Sequence, residues 1–205
     1  MTRPMELCAR ELAVWRGERC LFEGLDLALG PGKLGLVIGA NGSGKSTLLR
    51  VLAGLSTATS GVVTWRGGNV EALPLEYRGD IAYRGHLDGL KRDLTVLENL
   101  RFHATIWRGS AQIDTLLEEV ALSAAANVRV RYLSAGQQRR ASLATLKLGA
   151  SKVWILDEPT TNLDKSGRGK VIAWIRGHLE AGGTAVVATH QPDELAQKGA
   201  LVVEL

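Results

Sequence analysis

The stretch that most constrains the fold is GANGSGKS, at residues 39–46. It matches the phosphate-loop pattern GxxxxGK followed by Ser or Thr. An apolar run, KLGLVI at 33–38, precedes it, and a helical pattern at 45–54 follows it, which is the context that this motif requires. Backbone N–H groups turned toward one centre, together with the N-terminus of a helix, bind phosphate. The predicted nucleotide-contacting residues of this loop are Gly39, Ala40, Asn41, Gly42, Ser43, Gly44, Lys45, Ser46 and Thr47.

Two side chains of the loop are predicted to act in the chemistry. Lys45 is expected to neutralise β- and γ-phosphate oxygens, as a catalytic residue, and the Ser46 hydroxyl to ligate Mg²⁺. The alternative is a chance glycine-rich turn, but the flanking strand and helix patterns favour the phosphate loop. The predicted cofactors are therefore ATP and Mg²⁺.

A second polar group follows the apolar run VWIL at residues 153–156. Asp157 is predicted to hold Mg²⁺ through water, and Glu158 to orient or deprotonate the attacking water as a catalytic residue. Pro159 disfavours helical backbone at Glu158 and ends the strand there. A solvated acidic turn is the alternative, and it is disfavoured in a chain that also carries a phosphate loop.

A third candidate is His190, which directly follows the apolar stretch TAVVAT at 184–189. Ligands of open α/β sheets lie beyond the carboxyl ends of the strands, and Gly39, Asp157 and His190 stand at three such ends. His190 is therefore predicted to be catalytic, by donating to the γ-phosphate or by holding Glu158 and water in place. A structural histidine is the alternative.

The order of patterns along the chain predicts an α/β fold with a mainly parallel sheet. Alternating Leu25, Leu27 and Leu29 indicate a half-buried strand in an antiparallel N-terminal part. Helices are predicted at about 95–107, opened by a Thr95–Glu98 capping box, and at about 110–122. Strands are predicted at 61–66, 153–156, 184–188 and 201–204. We expect one domain, 1–205, with a core from 1–89 and 150–205 and an inserted helical subdomain at about 90–149.

The composition fits a soluble globular protein, with 45% apolar and 22% charged residues. The net charge of +4 is compatible with an anionic ligand, a membrane surface or a neutral surface bias. Cys8 and Cys20 have no metal-ligand spacing, which indicates free thiols in a reducing compartment. No signal peptide or bilayer-spanning run is evident, so any membrane role is expected to come from a partner.

The stretch YLSAGQQRRASLATL begins at Tyr132 and places small and polar residues at a predicted helix start. Ser134, Gly136 and Gln137 could meet an anion at that helix N-terminus. An ordinary N-cap serine is the alternative. A nearby set of arginines has no interleaved aromatic residues, so it is interpreted as a solvated face, and no nucleic-acid partner is predicted. These arginines are Arg129, Arg131, Arg139 and Arg140.

The phosphate loop, LSAGQ, ILDEP, a TNLD turn and the histidine occur in the order found in ABC-transporter nucleotide-binding subunits, which the chain resembles over essentially all 205 residues. The resemblance implies a P-loop NTPase fold of ABC type and a head-to-tail dimer around two ATP molecules. It also implies that Ser134, Gly136 and Gln137 contact the nucleotide of a second copy. The TNLD turn would communicate between the two sites, although Asp164 could simply cap the next helix.

Two positions depart from the family pattern. The aromatic residue that stacks on adenine in the family is replaced by Arg16, so Trp15 beside it is predicted to take that role, with a core or surface tryptophan as the alternative. The glutamine expected near the end of the strand around Ala82 is missing, because the sequence there is GHLDG at 85–89. The missing glutamine corresponds to Leu87; His86 could substitute for it in part, or the contact could be lost.

Several segments, including LFEGLDLAL, TSGVVTWRG, WILDEPTTNLD and ATHQP, resemble the ATP-binding subunit of the cytochrome c maturation system, a heme exporter. The resemblance implies an ATPase that drives heme export or release of a heme-loaded chaperone. It also implies integral membrane permease partners and a peripheral place on the cytoplasmic face of the bacterial inner membrane. The main alternative is an ABC subunit for another solute; a phosphate-loop kinase and an ABC protein acting on DNA or ribosomes fit less well.

Overall fold

The computed structural model describes residues 6–72, 74–107, 112–196 and 199–205. Nine strands and seven α-helices lie in these parts of the chain. In chain order they are β1 (Leu7–Arg16), β2 (Arg19–Leu29), β3 (Leu34–Ile38), α1 (Lys45–Leu52), β4 (Ser60–Trp65), β5 (Gly68–Asn69), α2 (Pro74–Asp80), β6 (Ile81–Arg84), α3 (Val96–Ile106), α4 (Ile113–Glu119), α5 (Ala135–Ala144), β7 (Val153–Asp157), α6 (Lys165–Glu180), β8 (Thr184–Ala188), α7 (Pro192–Leu195) and β9 (Leu201–Glu204).

The N-terminal sheet is antiparallel, with the strand order β2-β1-β4-β5. The leucines at positions 25, 27 and 29 are buried, while Asp26 and Ala28 between them are exposed. Such alternation arises because successive side chains of a strand point to opposite faces. The prediction of a half-buried antiparallel strand here is confirmed.

The second sheet is parallel, with the order β6-β7-β8-β3-β9. Its three central strands are β7, β8 and β3, and they consist almost entirely of buried residues because both faces are covered. The predicted strands at 184–188 and 201–204 are confirmed with the same bounds. Because parallel strands end at one edge, the carboxyl ends of these central strands meet there.

Helices cover both faces of the parallel sheet, as the alternating residues of β7 show. Val153 and Ile155 pack in one core with Leu48 of α1 and with the antiparallel sheet. Trp154 and Leu156 pack in a second core with the buried face of α6. The sheet is therefore fixed between α1 and α6, which holds its carboxyl edge in a defined position.

A third core lies among residues between Val96 and Leu148 and joins α3, α4 and α5. The predicted capping box of α3 is confirmed: Thr95 Oγ1 accepts from Glu98 N at 3.1 Å, and Glu98 Oε2 accepts from Thr95 N at 2.8 Å. The helix predicted at 110–122 is present as the shorter α4, and positions 110–111 lie outside the described residues. Within the described chain, no helix has the length and apolar character to cross a membrane.

Candidate functional site

A cavity of about 620 Å³ lies at the carboxyl edge of the parallel sheet. It brings together most of the residues predicted to act there, from the phosphate loop, the end of β7 and the residue after β8. The predicted residues in its lining are Asn41, Gly42, Gly44, Lys45, Ser46, Thr47, Asp157, Glu158 and His190. Five further residues line it, namely Arg16, Leu21, Arg50, His86 and Thr161. The predicted chemistry thus converges on one open cleft.

The backbone of the phosphate loop is shaped for close approach of a ligand. Gly39 has φ 145°, and a Cβ there would lie 2.3 Å from the carbonyl oxygen of Leu205 and 2.9 Å from Ser43 Oγ. Gly44, at φ 115°, is the N-cap of α1. No side chain caps this helix and its first turn carries no acidic residue, so its N–H groups remain available to an anion. The buried Ser43 hydroxyl has no hydrogen-bond partner, which also suits an incoming polar ligand.

Lys45 is folded onto the loop that it belongs to. Its Nζ donates to the carbonyl oxygens of Gly39 and Ala40, both at 2.8 Å, and the residue is only 7% exposed. From the adjoining hairpin, Arg19 donates from Nη2 to the carbonyl oxygen of Gly42 at 3.0 Å. Two cationic side chains, Lys45 and Arg19, therefore donate hydrogen bonds to the backbone of the loop, and the ammonium of Lys45 lies within it.

The carboxylates after β7 differ in their surroundings. Asp157 is buried at 4% exposure, whereas the Glu158 side chain is 21% exposed. Glu158 has φ 48°, in the left-handed region, and its N–H donates to the carbonyl oxygen of Ala188 at 2.9 Å. Its Oε1 lies 3.3 Å from His190 Nε2, within ion-pair distance. The expected departure of Glu158 from right-handed helical backbone is confirmed.

Nearby charges also act on Tyr83 at the end of β6. Burial, assisted by the negative charge of Asp157, raises the pKa of the Tyr83 hydroxyl, while Arg50 acts in the opposite direction. The phenol is thus kept neutral beside the carboxylate. Arg50 itself lines the cavity, so this end of the site combines one buried carboxylate with a cationic neighbour.

The start of α5 also contains a capping box, which the sequence analysis had predicted only as an N-cap serine. Ser134 Oγ accepts from Gln137 N at 3.3 Å, and Gln137 Oε1 accepts from Ser134 N at 2.9 Å. The N-cap interpretation of Ser134 is confirmed. Ser134, Gly136 and Gln137 are not among the residues that line the cavity of their own chain. A contact between them and a nucleotide therefore needs a second copy, and it stays a prediction.

Asp164 likewise acts as a cap, because its Oδ1 accepts from Gly167 N at 2.7 Å at the start of α6. The arginines near α5 require a correction. Arg139 is 5% exposed and donates four hydrogen bonds across the fold, so its assignment to a solvated arginine face is wrong. The helical pattern alone gave no signal for this burial, because the acceptors of Arg139 are three carbonyl groups and one carboxylate that are distant in the sequence.

The two positions that depart from the family pattern occupy different environments. Arg16 lines the cavity, whereas Trp15 does not. Trp15 is 45% exposed, and its backbone N–H donates to Thr59 Oγ1 at 3.0 Å. His86 lines the cavity, while Leu87 beside it is 83% exposed. The side chains nearest to the ligand space at these positions are therefore an arginine and a histidine.

The donor set fits a magnesium nucleotide. The hydroxyl of Ser46 and the carboxylate of Asp157 are oxygen ligands of the kind that Mg²⁺ prefers. Within the described ranges, no cluster of three or more His, Cys, Asp and Glu residues could hold a metal by itself. Mg²⁺ in nucleotide sites is commonly bound by one or two protein groups together with phosphate oxygens, and Ser46 and Asp157 could supply such groups beside the phosphate loop.

The fold and this site are those of an ABC-type ATPase. The ABC transporter domain model matches residues 22–161, more than half of the sequence, and the chain therefore belongs to the ABC transporter family. A Methylococcus capsulatus protein named cytochrome c biogenesis ATP-binding export protein CcmA is 46% identical over 188 residues. The match covers 90% of this chain and 90% of that protein. The Cupriavidus metallidurans protein of that name, CcmA 1, is 44% identical over 208 residues, covering 100% of this chain and 99% of its own.

A solved structure shows the same fold. It is the dimeric ATP-binding cassette MJ0796 in a post-hydrolysis state bound to ADP and Pi, with a TM-score of 0.83 and 24% identity. The match covers 97% of this chain and 94% of that one. The predicted P-loop fold of ABC type is thus confirmed, and the names of the relatives agree with the cytochrome c branch to which the sequence points.

Proposed function

We propose that this chain is the ATP-hydrolysing subunit of a membrane complex for cytochrome c biogenesis, coupling hydrolysis to heme export or to release of a heme-loaded chaperone. The observation that carries the proposal is the convergence of Lys45, Ser46, Asp157, Glu158 and His190 on one cavity. This cavity belongs to a chain that is 44% identical to a CcmA protein along its whole length.

Nucleotide phosphates bind at the phosphate loop in this proposal. Backbone N–H groups before α1 donate to the phosphate oxygens, and Lys45 exchanges its two carbonyl partners for phosphate oxygens. Ser46 and Asp157 would hold Mg²⁺, which when bound neutralises charge on the phosphate oxygens. The ribose and base then extend toward the part of the lining formed by Arg16 and Leu21.

Glu158 is the residue that we assign to the attacking water. Its carboxylate accepts a proton from, or orients, a water molecule directed at the γ-phosphorus. His190, 3.3 Å away, holds that carboxylate and can donate to a phosphate oxygen as negative charge shifts. Lys45 would stabilise the same charge through its ammonium group.

Two copies are needed for a complete site in this proposal. Ser134, Gly136 and Gln137 lie at the N-terminus of α5 and outside the cavity of their own chain, so in a head-to-tail dimer they cover the nucleotide of the second copy. We place the dimer at the cytoplasmic face of the inner membrane, bound to integral membrane permease subunits. The support for this placement is the export function in the names of the relatives.

The first test is Glu158→Gln in the purified protein. We expect turnover of Mg-ATP to fall by about 10²–10⁴-fold, because the general base is lost while the phosphate loop is intact. The variant should form an ATP-dependent dimer, measured by light scattering after size exclusion. Lys45→Ala is the matched control that should lose both ATP binding and dimerisation. Near-normal turnover of Glu158→Gln, or a monomer at saturating Mg-ATP, would contradict the assignment.

The second test identifies the partner. Tagged Glu158→Gln is isolated from native membranes in Mg-ATP and analysed by mass spectrometry and by the heme absorbance spectrum, with tagged Lys45→Ala as control. Cytochrome c maturation membrane proteins enriched with Glu158→Gln are the expected result. An unrelated permease would instead assign the subunit to transport of another solute and leave the ATPase chemistry unchanged.

A further inference from the structure

Arg139 reaches from α5 to the backbone that carries the hydrolytic carboxylate. Its Nη2 donates to the carbonyl oxygens of Asp157 and Glu158, both at 2.8 Å. The residue is 5% exposed, so these bonds form away from bulk water, where a charged donor binds a carbonyl strongly. A side chain of α5 is thus hydrogen-bonded directly to the backbone at the end of β7.

The second terminal nitrogen of the same guanidinium, Nη1, binds the segment that follows β6. Nη1 donates to the carbonyl oxygen of Gly85 at 3.2 Å and to Asp88 Oδ1 at 3.3 Å. Ser142, one turn further along α5, donates from Oγ to the carbonyl oxygen of Asp88 at 2.5 Å. His86 lies within this segment and lines the cavity. One arginine therefore links α5 to two of the chain segments that form the site.

The electrostatic surroundings show that this arginine is not held there by charge pairing alone. Arg84 is buried nearby, and burial together with repulsion from Arg139 lowers the pKa of the Arg84 guanidinium to about 10. The carboxylate bonded to Arg139 is that of Asp88, which is 25% exposed. A buried cation beside another cation depends on the carbonyl groups at 157 and 158 for its stability.

The backbone at Glu158 needs such support. Its φ of 48° is sterically unfavourable for a residue with a Cβ. The residue is held on both sides, by its N–H donating to Ala188 and by its C=O accepting from Arg139. Strained conformations persist where surrounding contacts over-determine them. These contacts direct the Glu158 carboxylate to its position 3.3 Å from His190.

We propose that Arg139 is a positioning residue for Glu158, and that through it α5 controls the hydrolytic site of its own chain. In this arrangement α5 has two roles, because its N-terminus faces the nucleotide of a second copy while Arg139 fixes the carboxylate of the first. Displacement of α5 relative to β7 removes the two bonds and releases Glu158 from its left-handed conformation. The inference rests on the proposed function in two respects, namely that Glu158 acts on the attacking water and that the N-terminus of α5 faces the nucleotide of a second copy.

The test compares Arg139→Met and Arg139→Lys in the full-length protein. We expect kcat for Mg-ATP to fall by roughly 100-fold in Arg139→Met, because a misplaced base loses alignment with water. The equilibrium Kd for Mg-ATP should change by less than about twofold, because none of the four hydrogen bonds of Arg139 goes to the phosphate loop. Arg139→Lys should lie between wild type and Arg139→Met, because an ammonium cannot span both sets of carbonyl groups.

Arg140→Met is the matched control on the same helix. Arg140 donates from Nη1 to the carbonyl oxygen of Val120 at 3.0 Å, away from the cavity, so this variant should retain wild-type kcat. A parallel loss of kcat and of Mg-ATP affinity in Arg139→Met would overturn the proposal, because it would indicate general disruption. If Arg139→Met does not fold, the same comparison of kcat with Kd is made on Arg139→Lys.

A double-mutant cycle separates positioning from an independent effect. In a Glu158→Gln background, Arg139→Met should lower the single-turnover rate by less than about twofold, because the group that it positions is already inactive. A full further loss in that background would overturn the proposal. Near-normal turnover of Glu158→Gln by itself would instead contradict the proposed function of Glu158, so the two failures are distinguishable.

Discussion

His190 Nε2 lies 3.3 Å from Glu158 Oε1, joining the residue after β8 to the residue after β7 across the open cleft. The histidine side chain is 47% exposed and the glutamate side chain 21% exposed, although the Oε1 atom of Glu158 is itself buried. Glu158 itself has a left-handed backbone, with φ 48°. One imidazole can therefore serve the carboxylate and an incoming phosphate together.

We expect His190→Ala to lower kcat for Mg-ATP by about 10²-fold, because both the orientation of Glu158 and a donor to the phosphate are lost. His190→Gln should retain part of the rate, since an amide can still donate a hydrogen bond. The measurement is steady-state hydrolysis together with the equilibrium Kd, which should stay close to wild type. His103→Ala, a half-buried histidine on α3, is the control. Equal rates in His190→Ala and wild type would show that the histidine is structural.

The two capping boxes allow the trans contact of Ser134 to be separated from its role as a cap. Ser134→Ala and Thr95→Ala each remove an N-cap hydroxyl, so each should lower the free energy of unfolding by about 1 kcal/mol. Only Ser134→Ala should also lower ATPase activity, at unchanged affinity of the monomer for Mg-ATP. Denaturant unfolding and hydrolysis are measured on both variants. A matching loss of activity in Thr95→Ala would leave stability as the common cause.

The base-binding end of the cleft gives a third prediction. Trp15 was predicted to stack on adenine, but Arg16 is the residue in the cavity lining. A guanidinium over a base contributes a cation–π attraction of about 0.5–1 kcal/mol. We therefore expect Arg16→Ala to weaken Mg-ATP binding by roughly two- to fivefold, with Trp15→Ala close to wild type. Isothermal titration calorimetry measures the affinity of the two variants for Mg-ATP. A larger loss in Trp15→Ala would restore the sequence-based assignment.

The sequence predicted those strands and site residues for which a local sequence pattern has a single structural explanation. The strand at 184–188 was predicted with its observed bounds, because a run of buried apolar residues between polar positions permits little else. Asp157, Glu158 and His190 were predicted together, because strands of a parallel sheet end at the same edge. β1 was not predicted, since Glu11 has φ 49° and the pairing shifts register beside it, which breaks the two-residue alternation.

Residues whose role depends on distant backbone could not be predicted. Arg139 is one of two adjacent arginines on an ordinary helical pattern, and its acceptors lie 18, 19, 51 and 54 positions away in the sequence. Arg16 and Trp15 are also adjacent, and only the path of the strand decides which one faces the cleft. In both pairs the local pattern specifies a helix or strand, whereas the neighbouring segments select the residue that contributes to the site.

His178 on α6 provides a test of pH-dependent stability away from the site. Its ring stacks on Trp154 with centroids 4.1 Å apart and an interplanar angle of 6°. Burial lowers the pKa of His178 from its ordinary value of 6.5, assisted by the positive charge of Lys152, while backbone hydrogen bonds at Thr184 and Lys152 act in the opposite direction. The neutral ring is therefore favoured in the folded protein.

The sign of the effect follows from this shift. As the pH falls below 6.5, the unfolded chain binds a proton at His178 before the folded chain does, so stability is present above that pH and is lost on acidification toward the folded pKa. His178→Phe keeps an aromatic ring against Trp154 and removes the titration. We expect its melting temperature to fall less than that of wild type between about pH 7.5 and pH 5.5. Thermal unfolding at constant ionic strength measures this, and an equal or larger fall in the variant would assign the acid sensitivity to other groups.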